Sequence, residues 1–280
     1  SFRTLKDVEV KATSCVGLCA LEPTAFICID RRVIGLSYLT DSQKDKESIQ
    51  AICDGKDVNT HLAPRVIYDG SEQGLFNDLF KGQKRVVLRN AGWLDPMDIN
   101  DYISVGGYSF LSKCRSAKIS KEQVLDVLEK SGLRGRGGAG FPTAKKWRML
   151  MEKISEEKYV ICNGDEGDPG AFMDRSVLEG DPHSVIEGLQ IAAYATGATK
   201  CFMYVRAEHP LALKTLNKAI KDANDKNVLY VPVEIREGAG AFVCGEETAL
   251  IASIEGKRGM PRFRPPYPVE SGLWGKPTII

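Results

Sequence analysis

The spacing of apolar residues changes character near residue 116. Upstream of it the pattern is broken. Asp7-Val-Glu-Val-Lys11 alternates with period two and predicts a strand. Ala25–Ile29 predicts a second strand, and Arg32-Val-Ile-Gly35 a turn into a third. Residues 40–54 carry Thr40, many charges, and the pair Ile49 and Ile52, which predicts a surface helix. This β-β-α piece is too short to be a domain alone. Residues 55–115 hold Gly70, Gly74, Gly82, Gly92, Gly106 and Gly107 with weak periodicity, and an extended connecting arm is expected there.

From residue 116 the signals are regular. Ser120-Lys-Glu-Gln123 has the spacing of a capping box, Val124, Leu125, Val127 and Leu128 follow at helical intervals, and Gly132 ends the run. A second helix is expected from Thr143 to Glu152. Tyr159–Cys162 predicts a short buried strand. Asp181-Pro182 opens a helix running to Thr196, with Gly197 as its stop. Lys200–Val205 predicts a strand, Pro210–Asn224 a helix, Val228–Arg236 a strand, and residues 245–255 a helix after a loop. Strands alternating with helices predict an α/β fold with a parallel sheet covered on both faces. Ligands of such sheets bind beyond the carboxyl ends of the strands.

The chain of 280 residues is long enough to bury a sizeable core, as one large domain or two smaller ones. Its formal charge of +1 argues against a nucleic-acid binder that works by bulk charge. No apolar run approaches the roughly 18 residues of a membrane span. The sequence lacks an initiator Met and a signal-peptide pattern, and Pro277-Thr278-Ile279-Ile280 stops mid-pattern; a piece of a longer cytoplasmic protein is expected. Most of the eight cysteines sit singly, several in strand-like runs, as small buried hydrophobes do. Cys15 and Cys19 alone form a tight pair, with Gly17 between them. Two unrelated thiols and half of an iron–sulfur ligand set are both open, since a cluster needs four ligands.

Three loops concentrate the chemistry. In Leu133-Arg-Gly-Arg-Gly-Gly-Ala-Gly-Phe-Pro-Thr143, Gly135, Gly137 and Gly140 fit G-x-G-x-x-G, but a helix precedes them where the dinucleotide fingerprint requires a strand. What survives is a backbone able to approach a phosphate or flat ring closely, ahead of a helix start that favours anions. Arg134, Arg136, Lys145 and Lys146 add positive charge, and Phe141 offers a stacking face. In Asn163-Gly-Asp-Glu-Gly-Asp-Pro-Gly170, carboxylates leave the end of a strand and suit hydroxyl or ring N–H donors; a solvated acidic turn is the alternative. In Gly238-Ala-Gly-Ala-Phe-Val-Cys-Gly-Glu-Glu-Thr248, Glu246 and Glu247 either cap the following helix or line a ligand, and Cys244 is either reactive or simply buried.

Taken together with Arg264-Pro-Pro-Tyr-Pro268 and Gly272-Leu-Trp-Gly-Lys-Pro-Thr278, these loops resemble the NADH-binding flavoprotein subunit shared by respiratory complex I, NAD(P)-linked hydrogenases and NAD-linked formate dehydrogenases, over roughly residues 85–280. The piece around Cys15 and Cys19 resembles the second half of a thioredoxin-like 2Fe–2S ferredoxin domain. That fusion favours the hydrogenase or formate dehydrogenase branch, electron-bifurcating and NADP-reducing iron hydrogenases included, over complex I.

The resemblance implies a thioredoxin-like half-domain over 1–60, an arm over 61–115 and a Rossmann-like FMN/NAD(P)H domain over 116–280, with ubiquitin-like and 4Fe–4S domains beyond. It implies FMN on Gly135, Arg136, Gly137, Gly138, Ala139, Gly140, Asn163, Asp165, Glu166, Phe242, Gly245, Glu246 and Glu247. It implies NAD(H) or NADP(H) on Phe141, Lys146, Asp168, Glu247 and Tyr267, with Phe141 and Tyr267 around the adenine. Cys15 and Cys19 would hold a 2Fe–2S cluster with two ligands outside the chain. No residue acts as a general acid, because the hydride moves to the flavin. The implied partners are iron–sulfur proteins of the same complex: a ferredoxin-like subunit and a hydrogenase or formate dehydrogenase catalytic subunit. A complex I subunit and a flavin-free Rossmann dehydrogenase are the rivals.

Overall fold

A computed structural model of the chain describes residues 4–17, 19–30, 32–56, 65–71 and 82–280. Residue contacts divide it into two compact units, Ser1–Trp93 and Leu94–Ile280.

In the first unit, β1 (Ala25–Ile29), β2 (Arg32–Leu36) and β3 (Val66–Ser71) form an antiparallel sheet in that order. Ile27 faces Ile34 across the first pair, and the ladder to β3 shifts register between Gly35 and Leu36. Helix α1 (Gln43–Cys53) starts behind Ser42, whose side chain accepts the Asp45 N–H. Ile49 and Ile52 then meet Ile34, Leu36 and Leu39 in a small core. Asp45 is buried but satisfied by the Thr40 N–H and hydroxyl and by Arg65 Nη1 at 2.9 Å. The strand expected at 7–11 does not form: the alternation finds no ladder partner, and Asp7 takes a left-handed φ of 55°.

The second unit is built on a parallel sheet of β4 (Tyr159–Gly164), β5 (Lys200–Arg206), β6 (Val233–Gly238) and β7 (Thr278–Ile279), ordered β6-β5-β4-β7. Side chains alternate between its faces as a strand requires. Val160, Cys201, Met203 and Val205 pack with Leu150, Leu178, Ile186, Leu189 and Leu216 on one face. Tyr159, Ile161, Phe202 and Tyr204 pack with Leu250, Ile251 and Ile254 on the other. The helices on the first face are α5 (Thr143–Met151), α6 (Met173–Gly180), α7 (Pro182–Thr196) and α8 (Pro210–Asp225); α9 (Glu247–Ile254) covers the second. The chain therefore crosses the sheet between β6 and β7, and β4 lies where the strand order turns back.

Ahead of the glycine loop, α4 (Lys121–Ser131) carries the expected capping box between Ser120 and Gln123 and ends on Gly132 in the left-handed conformation. Asp181 caps α7 through the Ser184 N–H, and Gly197 closes it. The arm expected over 61–115 is different in its described parts, and residues 61–64 and 72–81, with Gly74, lie outside them. Val66–Ser71 is a sheet strand of the first unit, and α2 (Ile99–Ser104) and α3 (Ser109–Arg115) belong to the second. Glu187 of α7 holds both helices. Its carboxylate accepts the Tyr102 hydroxyl at 2.7 Å and the Tyr108 N–H at 2.9 Å. The strand expected from Val228 begins only at Val233, because Gln190 Oε1 takes the Tyr230 and Val231 N–H groups instead. No helix among the described residues is long and apolar enough to cross a membrane.

Candidate functional site

Two of the three loops singled out in the sequence leave the same end of the parallel sheet, and the third leads into the helix whose Lys146 meets Glu247. The acidic loop leaves the carboxyl end of β4 and the second glycine loop that of β6. The first glycine loop follows α4 and leads into α5, so the dinucleotide fingerprint is excluded by the helix in front of it.

That first loop is a hairpin. Arg134 and Pro142 bridge antiparallel, Gly135 N–H donates to Phe141 O at 2.9 Å, and Arg134 Nη1 donates to Gly140 O at 2.9 Å. These bonds close the base and leave the tip, Arg136, Gly137, Gly138 and Ala139, exposed. Gly138 and Gly140 have φ of +99° and +61°, a region that side chains strain. A Cβ placed on Gly137, Gly138 or Gly140 would meet no atom of the described residues within 4 Å, so the bare backbone borders open space among them.

The acidic loop is tied down by its own carboxylates. Glu166 accepts the Asp174 and Arg175 N–H groups at 3.1 and 2.9 Å, capping α6 from seven residues upstream of its first residue. The Asp165 side chain is fully buried and faces Arg206 Nη1 at 3.3 Å. Burial pushes its carboxyl pKa up, while the guanidinium pulls against that rise. Asn163 Nδ2 donates to Gly245 O at 2.9 Å and so joins this loop to the one after β6. Asp168 stays exposed.

In the second glycine loop Phe242–Gly245 forms a short 3-10 helix. Glu246 caps α9, accepting the Thr248 and Ala249 N–H groups at 2.9 and 3.0 Å, and Cys244 is buried. Glu247 lies between two cations, Lys146 Nζ at 3.4 Å and Arg264 Nη1. Lys146 also donates to Ile280 O at 2.8 Å. Phe141, Phe242 and Tyr267 are exposed, as are Phe172 and Phe263.

The structure thus brings Asn163, Asp165 and Gly245 together, and Lys146 with Glu247. Arg206, Glu208 and Arg264 are neighbours that motif reading missed. Arg206 had a signal, being a cation at the carboxyl end of a central strand. Arg264 stands inside a quoted motif, but its partner Glu247 is 17 residues away. In the first unit Cys15 is exposed; its thiol donates to Glu22 Oε1 and accepts the Gly17 N–H, both at 3.3 Å. The Cys19 side chain lies outside the described residues. Among the described residues no group of three or more His, Cys, Asp or Glu is placed to hold a metal ion.

Comparison with known proteins places the chain in a family. The sequence model of the Nuo51 FMN-binding domain matches residues 128–279. The chain is 52% identical over 209 residues to the NADP-reducing hydrogenase subunit HndC of Solidesulfovibrio fructosivorans, covering 71% of this chain and 42% of the relative. It is 48% identical over 191 residues to an NADH-quinone oxidoreductase subunit of Aquifex aeolicus, covering 65% and 44%. A crystal structure of air-oxidised NAD+-reducing [NiFe]-hydrogenase superposes with a TM-score of 0.58 at 34% identity, over 95% of this chain and 42% of that one. The chain spans about half the length of the curated relatives it matches.

Proposed function

The chain belongs to the Nuo51 FMN-binding domain family, and from that premise we propose that it is the flavin-bearing, nicotinamide-oxidising or nicotinamide-reducing part of a multisubunit redox complex. The observation that carries this is the open backbone of Gly137, Gly138 and Gly140, facing space no side chain fills, beside the acidic and glycine-rich loops at the carboxyl ends of the strands. A flat, phosphorylated ring needs such a cradle.

Residues 135–140 hold FMN on one side. Asn163, Asp165 and Glu166 belong to the second wall, and Phe242, Gly245, Glu246 and Glu247 to the third. The chemistry FMN supplies when bound is the conversion of a nicotinamide hydride into single electrons for iron–sulfur clusters. The chain's own residues position and exclude. Glu166 gives both oxygens and Glu246 its Oε2 to helix N-termini, and these bonds fix the two loops. Lys146 and Arg264 hold Glu247 between two cations. Phe141 and Tyr267 offer exposed rings for an adenine, Lys146 a cation for a phosphate or hydroxyl, and Asp168 an acceptor for a ribose hydroxyl.

In the first unit, Cys15 and Cys19 supply two ligands of a 2Fe–2S cluster, completed from outside the chain. The N–H that Gly17 donates to the Cys15 sulfur suits a cluster thiolate. A 4Fe–4S cluster lies beyond residue 280. The partners are iron–sulfur subunits of a hydrogenase or formate dehydrogenase in the cytoplasm, and electron bifurcation belongs to the same reading. The match that extends over the first unit, 95% of this chain, supports the hydrogenase branch. A complex I-type quinone oxidoreductase is the second reading, supported by the Aquifex relative. The test is turnover of NADH and NADPH with an artificial electron acceptor, together with identification of the flavin released on denaturation. FMN release with turnover supports the proposal. A preparation without FMN, or one inert to both nucleotides, refutes it.

A further inference from the structure

Arg206 ends β5, between the two strands whose loops form the walls of the flavin site, and lies in none of the sequence motifs. Its guanidinium reaches in three directions. Nη1 faces Asp165 Oδ1 at 3.3 Å in the acidic loop, Nη2 donates to Gly240 O at 2.9 Å in the loop after β6, and Nε donates to Glu208 Oε1 at 2.9 Å. We propose that Arg206 is a positioning residue of the flavin pocket: its single planar fork sets the spacing of the two walls, and flavin affinity depends on that spacing.

This rests on the FMN reading above. The pair is not a surface contact, since the Asp165 side chain is fully buried and that of Arg206 only 9% exposed. Both loops pack their backbones directly on it. A Cβ on Gly167 would fall 2.7 Å from Arg206 Nη1, and one on Gly245 would fall 3.2 Å from Asp165 Oδ2. The glycines at 167 and 245 are therefore what lets the walls close on the Arg206–Asp165 pair. Asn163 Nδ2 to Gly245 O is a second tie between the same walls. Glu208 aligns the fork from its own strand end, and His209 Nε2 meets Glu166 O at 3.1 Å, adding a neighbouring tie to the acidic loop. Lysine keeps the charge but not the geometry, because an ammonium has no fixed fork to serve three acceptors in different directions, so it replaces arginine only in part.

The test uses the full chain, purified and then freed of flavin, with Arg206→Lys, Arg206→Met and Gly167→Ala compared to wild type. FMN binding is measured by flavin fluorescence titration, and the melting temperature of the flavin-free chain is measured in parallel. Removing the donor that a buried carboxylate relies on is worth up to about a hundredfold in Kd where the loss falls on the bound state. Weaker FMN binding of that order is expected in Arg206→Met, with partial recovery in Arg206→Lys. Gly167→Ala should weaken FMN while keeping the charge. At saturating FMN, the midpoint potential and visible circular dichroism of the bound flavin should move in Arg206→Lys, which a purely structural role would not cause. If Arg206→Met fails to fold, the Lys and Gly167→Ala variants decide. Unchanged FMN affinity in those two, with wild type binding, overturns this inference alone. A wild-type chain that takes no FMN overturns the FMN reading and this inference with it.

Discussion

A single methyl at Gly137 separates the fold from its ligand. The Cβ that Gly137→Ala introduces meets no atom of the described residues within 4 Å, and the residue lies outside the left-handed region. The flavin-free chain therefore suffers no clash. Narrowing the freedom of the unfolded chain should even stabilise it by about 0.4–1 kcal/mol. For a protein of this size that is a rise of roughly 1–4 °C in melting temperature. On the proposed FMN reading, the same methyl would occupy the place of the ring or phosphate. Forcing an extra methyl into a packed contact costs about 1–3 kcal/mol, or about 5- to 150-fold in Kd. Gly138→Val is the harsher companion: a β-branched residue at φ +99° adds roughly 1–3 kcal/mol of strain. That remains below the roughly 5–15 kcal/mol of a folded domain, so flavin should be lost while the fold is kept. Fluorescence titration with FMN and thermal melting of the flavin-free proteins measure the two effects side by side. Full flavin content and unchanged affinity in Gly137→Ala would refute the assignment of this loop.

Three other outcomes follow from the same geometry. Asp168→Glu lengthens an exposed acid by one methylene, and a longer acid near a ribose should lower the ratio of NADPH to NADH kcat/KM, by roughly 5- to 150-fold; an unmoved ratio removes Asp168 from nucleotide selection. Cys19→Ser in the full-length protein should alter or abolish one 2Fe–2S EPR signal and leave flavin content intact, whereas an unchanged signal reduces Cys15 and Cys19 to unrelated thiols. Burial holds the His183 imidazole down at about 4 from an ordinary 6.5. The unfolded chain thus takes up the proton first, and stability present above pH 6.5 should fall by about 3 kcal/mol as the pH drops to 4. Denaturant melts across that range check the slope, which His183→Gln should flatten.

What was legible in the sequence was local chemistry. The box between Ser120 and Gln123, the stop at Gly132, and the Asp181 start and Gly197 stop of α7 each depend on residues within one turn, and all appear in the structure. The alternation of strands and helices after residue 116 gave the parallel sheet for the same reason. What failed depended on distant partners. Helix α6 is started by Glu166 from the loop before it, and α2 and α3 are held by Glu187 about 80 residues on. The alternation at 7–11 had nothing to pair with, and Gln190 diverted the start of β6. In the site, the glycine and acidic loops declared themselves by composition. Arg206 did not, because two of its three acceptors, Asp165 and Gly240, are 41 and 34 residues away and are brought to it by the fold.

The central claim is that the three loops hold an FMN that exchanges electrons with a nicotinamide. Its most direct test is the visible spectrum of the purified chain under anaerobic conditions, before and after addition of NADH or NADPH. A flavin band that bleaches with either nucleotide and returns on adding an oxidised electron acceptor is the predicted result. A band untouched by both nucleotides, or no band even after incubation with FMN, would contradict it.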